Sequence, residues 1–357
     1  MILFRADGNS KIGSGHIMRC LSIAEAARKQ GHSCVFITAD GSYKEQITAR
    51  GFSCKILNSD YRKMEQEVET LNQILNGLSA ELILVDSYFA TKAYLFALSH
   101  TIPTAYMDDL ETEAFPVHFL INYNLYAEEK GYERLYKIAP IKPRKFFLGG
   151  NYIPLREEFQ DHSFRKQRKN VTNILISTGG ADHEHVAVRL MEHLVLNPHA
   201  SYQKYQFHFV LGAANQDKKE IIVLSKRKNN IFLHGNVKNM YERMAACDLA
   251  LSAAGSTMYE LCASSVPIVT YRLADNQFKV AECFRRNNMA VDAGDARRNE
   301  DFCKNAFEIL ERISNDYDQR TRMAQKAYKM VDGSGANRLV KELLGQLGTI
   351  PKYEKLH

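Results

Sequence analysis

The chain has 357 residues, enough for two cores, and an ordinary globular composition of 45% hydrophobic and 25% charged residues with no low-complexity tract. Basic residues outnumber acidic ones only 47 to 41 and are dispersed, which permits a small anionic ligand and argues against a nucleic-acid surface. No apolar run reaches membrane-spanning length, Met1-Ile2-Leu3-Phe4-Arg5 lacks the shape of a signal peptide, and the 7 cysteines contain no C-x-x-C pair. Integral membrane association and a disulfide or zinc framework are therefore disfavoured, and a cytoplasmic location is expected.

Ile2-Leu3-Phe4 reads as a first buried strand, and Cys20 to Ala27 suits a helix packed on a sheet. Between them runs the loop Ile12-Gly13-Ser14-Gly15-His16-Ile17-Met18-Arg19. Backbone N–H groups of such a loop face whatever binds there, usually an anion. The loop also delivers His16 to a helix start, where the dipole favours a neutral imidazole able to act as a base. A dinucleotide fingerprint fits poorly, because its third glycine position holds Met18 and its first glycine falls well past the strand. Asp40 could imitate the ribose-binding acid, so a nicotinamide or flavin site is a weak alternative.

Further strands are expected at 34–38, 53–57, 82–86, 103–107 and 119–122, with an amphipathic helix over 65–78. This alternation predicts a parallel sheet covered by helices on both faces, with ligands at the carboxyl ends of the strands. Asp7, Asp86, Tyr88, Asp108 and Asn122 lie at or just past such ends and form a polar rim beside His16. Singly, each could equally be a helix cap or turn residue. Residues 151–170, with Pro154, Arg156 and a basic run over 165–169, read as a linker whose charges form a solvated helix face.

A second alternation follows. Residues 173–177 lead to Thr178-Gly179-Gly180, strands are expected near 207–211 and 231–233, and helices over 217–225 and 240–247. The run 249–252 enters Ala253-Ala254-Gly255-Ser256-Thr257 and a helix over 258–263; strand 267–270 precedes Ala274-Asp275-Asn276-Gln277. Three helices, starting near 300, 318 and 337, close the chain, and no function is assigned to them. His183-Glu184-His185 is no metal site, since i and i+2 on a helix face apart, and neither a Walker nor a G-x-S-x-G pattern occurs. The chain reads as α/β, two doubly wound Rossmann-like domains facing a cleft: 1–150, a linker over 151–170, 171–345, and a tail over 346–357.

Gly255-Ser256-Thr257 at a strand-to-helix turn suits a diphosphate, with close backbone approach at the glycine and donors from two hydroxyls. Glu260, at i+4 from Ser256, lies on the same helix face and could accept two hydrogen bonds from a ribose diol. Gly235-Asn236-Val237 after another strand could pair its backbone with a flat base. The plainer reading makes Ser256 an N-cap and leaves Glu260 solvated.

Taken in order, a set of motifs resembles the UDP-sugar hydrolases of pseudaminic acid biosynthesis and their relatives in spore coat polysaccharide synthesis. They are Phe4-Arg5-Ala6-Asp7, Ile12-Gly13-Ser14-Gly15-His16, Val85-Asp86-Ser87-Tyr88, Leu155-Arg156-Glu157-Glu158-Phe159, Ser177-Thr178-Gly179-Gly180-Ala181-Asp182, Ala254-Gly255-Ser256-Thr257-Met258-Tyr259-Glu260-Leu261 and Asp275-Asn276-Gln277. The resemblance covers about the first 290 residues. It implies the two-domain GT-B architecture, shared with the peptidoglycan N-acetylglucosaminyltransferase. It also implies hydrolysis of UDP-2,4-diacetamido-2,4,6-trideoxy-β-L-altropyranose to free sugar and UDP, without a cofactor. On that likeness the catalytic group is His16, Asp7, Tyr88 and Asn276, with His16 activating water. Substrate and UDP would be held by Gly13, Gly15, Asp86, Arg156, Gly179, Gly180, Gly235, Asn236, Val237, Gly255, Ser256, Thr257, Glu260 and Gln277.

The chemistry fits: UDP is a good leaving group, so the remaining need is a base for water. One base without a second positioned carboxylate implies direct, inverting displacement. A GT-B glycosyltransferase using a UDP-amino sugar is the main rival. It is disfavoured by the absence of an apolar or strongly basic stretch that would dock on a membrane-bound acceptor. A non-catalytic sugar-nucleotide binding protein is a further alternative.

Overall fold

The computed structural model describes residues 1–9, 11–127, 131–180, 182–197, 200–212 and 214–348. Ala181 of the second glycine motif and the expected tail from 349 onward lie outside them. The chain divides into two units, Met1–Glu157 together with the chain from Ser334, and Glu158–Gly333.

The first unit is built on seven strands: β1 (Ile2–Ala6), β2 (Cys34–Thr38), β3 (Ser53–Ile56), β4 (Leu82–Asp86), β5 (Thr104–Met107), β6 (Phe119–Asn122) and β7 (Lys145–Leu148). They pair in the order β3-β2-β1-β4-β5-β6-β7, all parallel. β1, β2 and β4 are buried along their whole length, which is why they read as unbroken apolar runs. The edge strand β3 is half covered and alternates, with Ser53 and Lys55 exposed.

Successive residues of β1 feed opposite faces. Ile2, Phe4 and Ala6 join Ile17, Leu21 and Ala24 of the helix Gly15–Lys29. Leu3 joins Leu71, Tyr94 and Leu95 on the other side. Arg5 is fully buried on that second side, and its charge is matched by Glu67 (Nε to Oε1, 2.6 Å) and Asp7 (Nη1 to Oδ2, 2.6 Å).

The second unit holds β8 (Asn173–Ser177), β9 (Gln206–Leu211), β10 (Ile231–Gly235), β11 (Leu249–Ala253), β12 (Ile268–Arg272) and β13 (Ala290–Asp295), in the parallel order β10-β9-β8-β11-β12-β13. Its core joins alternate strand residues such as Ile174, Phe207 and Leu251 to the helices Val186–Leu196 and Phe302–Asn315. In both sheets the strand order reverses once, between β1 and β4 and between β8 and β11. A ligand crevice forms at such switch points, outside the carboxyl ends of the strands.

Two expectations change. The last helix, Gly335–Leu347, belongs to the first unit and not to a domain spanning 171–345. Its Ala336, Leu339, Val340 and Leu343 pack into the core under the helix Gly15–Lys29. Gly335 makes this possible, since a Cβ there would lie 2.3 Å from the Ile153 carbonyl oxygen. An amphipathic stripe announces a buried face but not which sheet it covers. The expected linker is likewise absorbed into the units. The basic run over 165–169 is not helical: Arg165 Nη2 donates to the Cys247 carbonyl at 2.9 Å and Arg168 Nη1 pairs with Asp248 at 3.0 Å. Arg165 is half-buried, while Lys166, Arg168 and Lys169 are exposed, so the run is solvated as expected but not on a helix.

Candidate functional site

Each unit presents a group of candidate residues at its own switch point. In the first, β1 ends at Ala6 and the chain turns through a tight loop. Asn9 and Gly13 exchange backbone hydrogen bonds, and the Asn9 Oδ1 accepts from the Lys11 and Ile12 amides. Gly13 closes the turn with φ +75°, a conformation open to glycine at no steric cost. The helix then begins at Gly15, one turn earlier than the apolar pattern implied, so His16 stands in its first turn.

The imidazole is buried and its Nδ1 lies 2.6 Å from Asp86 Oδ1, at the carboxyl end of β4. Asp86 is also held by Arg19, whose Nε and Nη2 reach its two oxygens at 2.5 Å each. Arg19 continues through Nη1 to Asp109 Oδ2 at 2.6 Å and to the Tyr123 hydroxyl oxygen at 2.7 Å. Tyr88 donates from its hydroxyl to Asp109 Oδ2 at 3.2 Å, and its ring meets the His16 ring edge-on with centroids 4.6 Å apart. The network thus alternates in sign, His16–Asp86–Arg19–Asp109, with two tyrosines along its side.

Burial would push the Asp86 carboxyl up, but the Arg19 guanidinium and His16 outweigh it and hold the group well below the usual carboxylate range. Burial would likewise lower Arg19, yet Asp109 and Asp86 raise it well above its ordinary value. Tyr88 and Tyr123 are both pushed up, first by burial. Tyr88 is nevertheless 50% exposed, which leaves it accessible to a ligand beside His16. An ionised Asp86 that accepts from Nδ1–H fixes the tautomer of His16, so that the lone pair sits on Nε2.

The other rim residues sort differently. Asp7 is the counter-ion of Arg5, and its second oxygen accepts from the Ala39 amide at 2.7 Å. Its carboxylate is committed to the fold, which does not support its place in the catalytic group. Asp108 caps its own loop through the Leu110 and Glu111 amides and accepts from the Tyr132 hydroxyl at 2.7 Å. Asn122 donates to that same hydroxyl. Gly15 is exposed at the helix start, and Arg156 is half-buried. Arg19, Asp109 and Tyr123 are the residues the sequence reading missed. Arg19 carried a signal, since i+3 from His16 places it on the same helix face; Asp109 and Tyr123 carried only their place just past the ends of β5 and β6.

In the second unit the loops after β8 and β11 flank the switch point. Gly179 takes φ +83°, and the neighbouring backbone packs tightly enough that a Cβ on Gly212 would lie 2.1 Å from the Gly180 carbonyl oxygen. The helix that follows has its first amides already occupied, since Asp182 accepts from Val186 and Ala187 at 3.0 and 2.9 Å. An anion is therefore better served by the other loop. There Gly255-Ser256-Thr257 leads into the helix Thr257–Ala263; Ser256 stands at its N-cap position as the plainer reading has it, but it is exposed and its side chain makes no capping hydrogen bond. Glu260 is half-buried one turn further on.

After β10, Gly235 and Asn236 are exposed, Asn236 with φ +49°, and Val237 is half-buried. Asn276 is exposed in the turn Asp275–Gln277, while Gln277 turns back, its Oε1 accepting from the Leu273 amide at 2.7 Å. That oxygen shapes the loop, which leaves Asn276 as the residue of the pair presented outward. Among the described residues no group of three or more His, Cys, Asp or Glu could hold a metal ion, and no helix is long and apolar enough to cross a membrane.

Two doubly wound parallel sheets joined in one chain define the GT-B class, and known proteins agree. MurG from Acinetobacter baumannii superposes with a TM-score of 0.64 at 14% identity, over 96% of this chain and 99% of that one. UDP-GlcNAc 2-epimerase from Neisseria meningitidis, bound to UDP-GlcNAc, superposes with a TM-score of 0.61 at 14% identity, over 97% and 100% of the two chains. The lipid-A-disaccharide synthetase family model matches residues 147–284.

Within that class the chain resembles one family in sequence. It is 25% identical to the UDP-2,4-diacetamido-2,4,6-trideoxy-beta-L-altropyranose hydrolase of Campylobacter jejuni over 72% of this chain and 86% of that protein. It is 21% identical to the spore coat polysaccharide biosynthesis protein SpsG of Bacillus subtilis, over 94% and 95%. An uncharacterized protein of Methanocaldococcus jannaschii is 26% identical over 87% of this chain, which spans 65% of that longer protein.

Proposed function

We propose that the chain is an enzyme acting on a UDP-sugar, and that it hydrolyses a UDP-activated diacetamido-trideoxy sugar, UDP-2,4-diacetamido-2,4,6-trideoxy-β-L-altropyranose or a close analogue, to free sugar and UDP. The observation that carries the reading is the His16–Asp86 pair, 2.6 Å apart at the β1/β4 switch point. With Nδ1–H engaged by Asp86, Nε2 is free to take a proton from water as the water oxygen attacks the anomeric carbon. The sugar C1–O bond breaks, and its electron pair leaves with the UDP diphosphate. Asp86 stabilises the imidazolium that forms. Tyr88, beside His16 and half exposed, is the polar group that the first unit offers the sugar, and Asn276 is an outward polar group of the second unit.

The second unit takes the nucleotide: Gly255, Ser256 and Thr257 for the diphosphate, Glu260 for the ribose diol, and Gly235 to Val237 for the base, with Gly179 and Gly180 across the β8/β11 switch point. These donors stabilise the negative charge that builds on the diphosphate oxygen as the bond to the sugar breaks. One base implies a single displacement with inversion.

Transfer to a sugar alcohol is the second reading, favoured by the likeness to MurG and to the lipid-A-disaccharide synthetase family. The two separate in one experiment. The protein is mixed with the UDP-sugar in ¹⁸O-labelled water with no acceptor, and products are followed by proton NMR and mass spectrometry. Hydrolysis gives UDP and reducing sugar in equal amounts, the sugar first appearing inverted and carrying the label. Label in UDP would mean attack at phosphorus and overturn the mechanism. Turnover only with an added acceptor would establish the transferase.

A further inference from the structure

The first unit carries an apolar hollow formed by none of the residues that hold His16. It lies between the helix Lys92–Ser99, the segment 112–116 leading into β6 and the segment 135–141 leading into β7, and it measures about 650 Å³. Phe96, Leu135, Ile138, Pro140 and Ile141 give it its character. Ile138 is 91% exposed and Phe96 43%, so two large apolar side chains stand at the hollow's rim and are not folded over it. Isolated exposed apolar residues are ordinary, but a contiguous patch around a cavity marks an interaction surface.

Its charge is as distinctive. The sequence Lys137-Ile138-Ala139-Pro140-Ile141-Lys142-Pro143-Arg144 interleaves apolar and basic residues, and Arg134, Lys137 and Lys142 are all exposed. Lys92 lines the hollow and pairs with Glu113 at 2.9 Å, a bridge whose side chains are 51% and 43% exposed and so only weakly held. The prolines explain why this stretch stays outside the sheet: Pro140 and Pro143 have no N–H to give a ladder.

We propose that this face docks on an anionic lipid surface, with Ile138 and Phe96 entering the headgroup–acyl boundary and Lys137 and Lys142 meeting lipid phosphates. Stable peripheral attachment takes two signals, an apolar insertion and a basic patch, and this face supplies both. A second copy of the chain is the poorer occupant, because the chain carries a formal net charge of +6 and would bring one basic face against another. The inference goes beyond the proposed reaction, in which neither UDP nor a free sugar needs a lipid. It also removes the objection, drawn from the sequence, that no surface would dock on a membrane-bound acceptor, which leaves hydrolysis and transfer to be separated by the labelled-water experiment.

The test is co-sedimentation of the full chain with vesicles of phosphatidylcholine alone and of phosphatidylcholine with phosphatidylglycerol, at low and high salt. The chain is expected on the anionic vesicles only, and less so at high salt. Ile138→Asp should lower the bound fraction at least tenfold, and each of Lys137→Glu and Lys142→Glu roughly fivefold or more. Because Ile138 is almost wholly exposed, its variant should keep the wild-type circular dichroism and UDP affinity; Phe96→Ser serves as an independent second variant. No binding to anionic vesicles, or binding indifferent to both apolar variants, would overturn the proposal. So would self-association in the ultracentrifuge, without lipid, that Ile138→Asp abolishes. None of these readings depends on which reaction the enzyme performs.

Discussion

Replacing Asp86 with asparagine removes the centre of the first unit's network while keeping its shape. The carboxylate receives three short charge-assisted bonds, one from His16 at 2.6 Å and two from Arg19 at 2.5 Å, and it is fully buried. Opposite charges about 4 Å apart interact by roughly 4 kcal/mol at an effective dielectric constant of about 20. Breaking a buried pair from one side costs about 3–5 kcal/mol. Arg19 keeps Asp109 and Tyr123, so a loss near the lower limit, about 3 kcal/mol, is expected in urea unfolding at neutral pH.

The loss has a pH signature. The folded Asp86 carboxyl lies below its unfolded value of about 3.9. Its contribution is therefore fully present above that value and fades as pH falls further. The gap between wild type and Asp86→Asn should narrow as the medium is acidified below about pH 4. Turnover should fall about a hundred- to ten-thousandfold, because the amide no longer selects the tautomer with its lone pair on Nε2. Unchanged urea midpoint at neutral pH with unchanged turnover would refute the assignment of Asp86 as the residue that orients His16.

His16→Asn should abolish turnover, again by about a hundred- to ten-thousandfold, while calorimetry shows UDP still bound; near-normal turnover would remove this histidine from the mechanism. Arg19→Gln removes the guanidinium that holds both oxygens of Asp86 and links it to Asp109 and Tyr123. Saturated turnover should fall by about tenfold or more with partial return in Arg19→Lys, and wild-type turnover in Arg19→Gln would remove this cation from the network that holds Asp86. Glu260→Ala should weaken UDP binding by roughly 1.5–3 kcal/mol in calorimetry and slow saturated turnover far less. Equal UDP affinity would mean that the ribose is held elsewhere.

The buried parallel strands were legible because each is a continuous apolar run, and β1, β2, β4 and β8 fall where the sequence placed them. The strands β7 and β13 escaped: Lys145-Phe146-Phe147-Leu148 begins with a lysine, and Ala290-Val291-Asp292-Ala293-Gly294-Asp295 carries two aspartates and a glycine, with only Ala290 and Ala293 buried. Both lie outermost, where half-exposure breaks the apolar run. His16 and the Gly255–Thr257 loop could be singled out as candidates from chain position, because a strand–glycine–helix junction is a local pattern, and the structure has both at such junctions. What could not be read was which carboxylate serves which cation. Asp7, Asp86, Asp108 and Asp109 all follow strands, and only the packing of Arg5, Tyr132 and Arg19 assigns them. The docking face was invisible for a related reason: its apolar residues come from three separate segments, none long enough to stand out.

The last helix has a consequence for how the molecule comes to exist. The polypeptide passes from one unit to the other twice, at 157–158 and again at 333–334, so the first unit to be synthesised is the last to be finished. On a ribosome adding about 5–20 residues per second, the helix Gly15–Lys29 must wait for nearly the entire remaining chain before Leu339, Val340 and Leu343 arrive to cover it. During that interval the second unit, whose residues are contiguous, can close around its own core. The nascent N-terminal sheet meanwhile keeps one oily flank open to the chaperones of the cell.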